Sequence, residues 1–132
     1  MLPPLNDHGN LPPGIHLASV EEVVERFGGA SAEREVETRE LVELIAWARQ
    51  HGVRRIIING SFVTSKRQPN DVDLVVLPGA GSEQAVIELE PAGWPFLQIL
   101  IAADDEDLER WATSDFATDR EGRGKGVVEV IL

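Results

Sequence analysis

Residues 56–76 read Ile-Ile-Ile-Asn-Gly-Ser-Phe-Val-Thr-Ser-Lys-Arg-Gln-Pro-Asn-Asp-Val-Asp-Leu-Val-Val. Two short apolar runs rich in β-branched residues bracket a polar segment, and runs of this length bounded by Gly, Pro and Asn read as buried strands. The first, Arg55 to Asn59, delivers Gly60 and Ser61 to a short helical turn over 61–65. The second, Val72 to Leu77, begins where Asp71 and Asp73 flank Val72. Residues two apart on a strand share a face. The two carboxylates are therefore expected side by side, about 7 Å apart at about 3.3 Å rise per residue. Carboxylates that close repel unless a cation lies between them, and hard oxygen ligands suit Mg²⁺. Gly60 permits close backbone approach and Ser61 brings a hydroxyl, at a strand-to-helix junction of the kind that suits phosphate. The stretch describes a site for a metal-bound nucleotide.

Gly60-Ser61, with Asp71-Val72-Asp73 beginning ten residues after the serine, resembles the signature of the nucleotidyltransferase superfamily, particularly its minimal bacterial members. Leu11-Pro12-Pro13-Gly14-Ile15-His16, Gly60-Ser61-Phe62-Val63-Thr64 and Lys125-Gly126-Val127-Val128 are similar to segments of a bacterial family described as nucleotidyltransferase-like. The resemblance implies that Asp71 and Asp73 are the catalytic, metal-holding acids. It implies that Gly60 and Ser61 hold the triphosphate of an NTP, with Lys66 near a phosphate, and that Mg²⁺ or Mn²⁺ is the metal. A nucleoside monophosphate would pass to a hydroxyl of a protein, an RNA or a small molecule, in some relatives within toxin–antitoxin or phage-defence pairs. Active members carry a further acid on a neighbouring strand. Here Gln98 falls about there, and an amide cannot act as general base, a loss of about 10²–10⁴ in rate. Glu88, Glu90 and Asp104 are the available substitutes. Two readings follow: a minimal transferase, or a nucleotide- or protein-binding module (an antitoxin or regulatory partner) that kept the fold and lost the chemistry.

Outward from this block, the first eighteen residues hold four prolines and two glycines and read as an extended arm packed on the body, with His16 as an anchor. Ser19-Val20-Glu21-Glu22 is a capping-box pattern opening a helix over 20–27. Ser31 starts a longer one reaching Gln50, with Val36, Leu41, Leu44, Ile45 and Ala48 as its apolar stripe. Residues 85–89 fit either strand or helix, Phe96 to Ala102 reads as a third core strand, and Asp104 opens a helix reaching about Thr113 with Leu108 and Trp111 inward. Val127 to Leu132 is a last strand. The expected fold is α/β: one domain over 1–132, with a small mixed sheet of four or five strands and helices mainly on one face, as in a nucleotidyltransferase core.

With 132 residues, 42% hydrophobic, the chain can bury its own core. It has neither a long apolar run nor a leader pattern, so no membrane partner is expected. The absence of cysteine excludes disulfides and thiolate metal sites, and suits a cytoplasmic location. A formal charge of −11 repels nucleic acid over most of the surface, so broad nucleic-acid binding is not expected. Local basic patches remain at Arg54 and Arg55, at Lys66 and Arg67, and at Arg120, Arg123 and Lys125. The glycine-rich run 122–126 lacks Walker spacing. It is either a flexible basic turn or a loop in which Arg123 and Lys125 close over a triphosphate. Eight glutamates between 21 and 43 form either a solvated helical face or a docking surface for a basic protein partner.

Overall fold

The computed structural model describes residues 1–89, 93–115 and 118–132. The chain is α/β, with five strands in one mixed sheet. These are β1 (Ile15–Ala18), β2 (Arg55–Asn59), β3 (Val72–Leu77), β4 (Leu97–Ile101) and β5 (Val127–Val130), in spatial order β1-β5-β2-β3-β4. β2 runs antiparallel to both β3 and β5, whereas β1 with β5 and β3 with β4 are parallel pairs. The strands named by the apolar runs at 55–59 and 72–77 occupy the centre, buried on both faces as continuous apolar runs are.

One face of the sheet packs against α1 (Val20–Phe27), α2 (Ala32–Gln50) and α3 (Glu83–Ile87), joining Ile56, Ile58, Leu74 and Val76 to Phe27, Leu41, Leu44, Ile45 and Val86. The other face carries Ile57, Val75 and Val127, covered by Leu108 of α4 (Asp105–Arg110) and by Ala112 of the π-helical turn that continues it. The capping box on α1 forms as its sequence pattern requires: Ser19 Oγ accepts from Glu22 N–H, and the Glu22 carboxylate returns to Ser19 N–H. Asp104 caps α4, leaving three acids in the first turn at the favourable end of the dipole.

Several expectations change, and one left open between strand and helix is decided. The arm is not merely extended, because Ile15–Ala18 forms an edge strand beside β5, a parallel partner with no local signal. Residues 83–87 are helical. The apolar run 97–101 is the opposite edge of the sheet, not a core strand, and Ile101 stays 45% exposed. On α2, Val36 is 37% exposed, and the inward face begins instead with Arg34, Glu37 and Thr38 before Leu41, Leu44, Ile45 and Ala48. The first turns of that helix lie under the polar loop after β2, so polar groups face inward there. The glutamates do not act as one face either. Glu22 is in the capping box, Glu37 is buried, and Glu40 accepts from Phe96 N–H.

Candidate functional site

Asn59 and Asp73 are cross-strand partners at the adjoining ends of β2 and β3. β2 then gives way to a 3₁₀ turn, Gly60–Val63, entered through Gly60 at φ +77°. A Cβ on Gly60 would lie 2.2 Å from Asp73 Oδ2. Glycine is required twice over here, by the left-handed backbone and by the carboxylate lying against it. The fold thus brings the Gly-Ser pair and the Asp-x-Asp pair into contact, although the chain between them is a loop of irregular structure.

Asp71 precedes β3 by one residue, and Asp73 lies on it. Neither carboxylate forms a hydrogen bond or ion pair among the described residues. Burial raises the Asp73 pKa, and the neighbouring Asp71 charge raises it further, while Lys125 opposes both. Beside Asp73 on β2, Asn59 is 0% exposed, and both side-chain polar atoms are without a partner. Beside it on β4 stands Gln98, its register partner in the parallel pair. Gln98 therefore occupies the neighbouring-strand position, but it is exposed and lines a separate apolar pocket of about 290 Å³ with Val86, Leu89 and Trp94. Of the substitute acids, neither Glu88 nor Asp104 lines the cleft of Asp73. Glu88 accepts from Gln84 on α3, Asp104 caps α4, and Glu90 lies outside the described residues.

Asp71 and Asp73 open into a cleft of about 460 Å³ that Gly60, Ser61, Thr64 and Lys66 also line. The turn 118–125, which the sequence offered as a flexible basic turn or as a loop over a triphosphate, lines it as well. The turn is held by Asp119. Burial pushes that carboxyl up, but hydrogen bonds from Arg123, Asn10 and Glu121 N–H outweigh it and hold the pKa well below the usual carboxylate range. Arg123 is committed to Asp119, Glu121 and His8, so it serves as a brace and not as a free cation for a ligand. Gly126 sits against the arm. A Cβ there would meet Pro12 O at 2.1 Å, and its N–H donates to Leu11 O. Gly124 likewise lies against Pro13, whereas Gly122 is set by its φ of +77°. His16 is the anchor expected of it, with Nε2 2.6 Å from Pro12 O.

Three cations of the cleft, Lys66, Arg120 and Lys125, form no ion pair among the described residues. Lys125 is half-buried. Burial lowers its pKa, against the pull of Asp73 and Asp119. The basic pair Arg54 and Arg55 lies elsewhere and is neutralised: Arg55 makes a two-point pair with Glu129 and reaches Asp105, which Arg54 also meets.

Sequence reasoning missed Arg34 altogether. It is 2% exposed, and its guanidinium donates to the carbonyls of Phe27, Ser61, Phe62, Thr64 and Lys66. It thereby shapes the loop that lines the cleft from beneath. A charged residue three positions into a helix of alternating charge carries no signal that it will face inward. The N-terminal arm was also missed as a wall of the cleft, which His8 and Asn10 reach.

The donor set is selective about metal. No group of three acidic, His or Cys ligands exists among the described residues. Two unpaired carboxylates nevertheless fit Mg²⁺ or Mn²⁺, since Mg²⁺ is commonly held by one or two carboxylates, waters and substrate phosphates. The molecule is thus an α/β sheet protein in which a glycine turn, two bare carboxylates and several cations line one polar cleft. Residues 3–131 match the model of a family of unknown function (DUF6932), and the chain belongs to that family. Comparison with curated proteins and with solved structures gave no match.

Proposed function

We propose that the protein is a minimal nucleotidyltransferase whose cleft binds an NTP with one face on Asp71 and Asp73 and its phosphates toward Ser61, Lys66 and the other cations of the cleft. The single observation supporting this reading is the pairing of opposites: the carboxylates of Asp71 and Asp73, without partners and the second lying against Gly60, share one cleft with cations without partners. Uncompensated charge in partly buried positions, as at Asp71, Asp73 and Lys125, is unfavourable, and a metal–polyanion pair relieves both halves at once. When bound, Mg²⁺ would polarise the phosphoryl oxygens under attack. Asp71 and Asp73 would hold it, Gly60 would keep the backbone clear of Asp73, and Ser61 and Lys66 would orient the phosphate chain.

A second reading has its own support. Gln98, in register with Asp73, cannot take a proton from an acceptor hydroxyl, which favours a module that binds nucleotide without transferring it. Calorimetric titration of the four NTPs with Mg²⁺ or Mn²⁺ tests the shared part. Wild type should bind, and Asp71→Asn/Asp73→Asn should lose at least about tenfold in affinity. Wild-type protein that binds none of the four would end both nucleotide readings. Transfer is then separated from binding by Gln98→Asp: a rise in label transfer from α-labelled NTP marks a transferase slowed by its amide, and binding without transfer in either protein marks the module.

A further inference from the structure

In a two-metal phosphoryl-transfer site a second ion beside the first clamps the attacking or leaving oxygen, and that ion needs anionic ligands of its own. Asp73 is flanked on β4 by the amide of Gln98 and on β2 by the amide of Asn59, and no third acid joins the pair among the described residues. On the β5 side stands Lys125. Its backbone is fixed just ahead of that strand, because Gly126 N–H donates to Leu11 O and Gly124 lies against Pro13. Its ammonium is half-buried, faces Asp73 and Asp119, and pairs with neither. On that wall Asp119 is engaged with Arg123 and Asn10, and Arg123 with Glu121 and His8, while Arg120 is exposed at its rim.

We infer that Lys125 supplies the positive charge that a second metal ion would bring, so that the cleft works with one divalent cation and one tethered ammonium. This rests on the nucleotide reading above. A cation sharing the cleft with Asp73 repels a second divalent ion, and the neighbouring amides give that ion no anionic ligand. The same ammonium shares the cleft with the loop carrying Ser61 and Lys66, where it meets the phosphates of a ligand bound through Asp71 and Asp73. Lys125 is then a direct phosphate ligand, and the glycines beside it serve to place its backbone between the arm and β5.

Mn²⁺ stoichiometry decides the matter by electron paramagnetic resonance, with a non-hydrolysable NTP analogue present. Wild type should bind one Mn²⁺ per chain, and Lys125→Met should weaken the analogue by about tenfold or more. In Lys125→Ala/Gln98→Asp, with the ammonium gone and an acid restored, a second Mn²⁺ should appear. Two ions in wild type would overturn the inference while leaving the nucleotide reading intact. Unchanged analogue affinity in Lys125→Met would do the same. Wild type that binds neither analogue nor Mn²⁺ would overturn both. Because the decisive stoichiometry is measured on the unaltered protein, a variant that fails to fold does not remove the test.

Discussion

Gly60 and Asp73 occupy their places in the site only together. The left-handed backbone of Gly60 disfavours an L side chain by about 1–2 kcal/mol, and the Asp73 carboxylate fills the space a Cβ would take. Gly60→Ala should therefore be modestly destabilising but severe for ligand binding, because the added methyl drives Asp73 off its position. The expected result is a small fall in melting temperature together with loss of Mn²⁺ binding. A variant that binds Mn²⁺ like wild type would show that the Gly60–Asp73 contact does not position the acid. The need for glycine was legible from the Gly-Ser pair. Which atom lay against it was not, since Asp73 arrives from another strand.

The loop after β2 takes its shape from α2. Arg34 gathers five carbonyls, four of them from residues 61–66, with the ring of Phe62 5.2 Å from its guanidinium carbon. Arg34→Met keeps much of the bulk but leaves those buried acceptors unsatisfied, which should cost at least about 3 kcal/mol in urea denaturation. Amide exchange should accelerate first at Ser65, whose N–H reaches Gly9 O, because the loop and the arm are tied there. Arg34→Lys should recover only part of the loss, since an ammonium lacks the planar fork. If Arg34→Met were neutral in stability and exchange, the guanidinium would have no part in shaping the loop.

Stability of the whole molecule should depend on pH through Glu37. Its carboxylate is 1% exposed, and neither oxygen has a partner. Burial is the main cause that pushes its pKa up to about 7; the Asp71 and Glu33 charges add to it and Arg34 opposes it. Between the unfolded value of 4.5 and about 7, the native protein holds a proton that the unfolded chain has released. Stability from this group is therefore full below pH 4.5, falls as pH rises through that window, and is flat above it. Glu37→Gln should remove this fall and gain up to about 3 kcal/mol at pH 8. Denaturation of both proteins at pH 5 and pH 8 provides the check, and an equal gain at both would mean that Glu37 is not protonated in the native state.

The chain alone determined the central strands, the caps of α1, α2 and α4, and the grouping of Gly60, Ser61, Asp71 and Asp73. Apolar runs, capping boxes and residue spacing act over a few positions and are written where they act. Only the tertiary structure decided that Ile15–Ala18 joins the sheet and that 97–101 forms its edge. It also turned Arg34 and Glu37 inward, and placed the arm and the turn 118–125 as walls of the cleft. Parallel pairing and buried charge depend on partners distant along the chain: β1 meets β5, and Arg34 meets carbonyls about thirty positions on. Such partners leave no mark in local periodicity, because the residues that satisfy them become neighbours only when the sheet has closed.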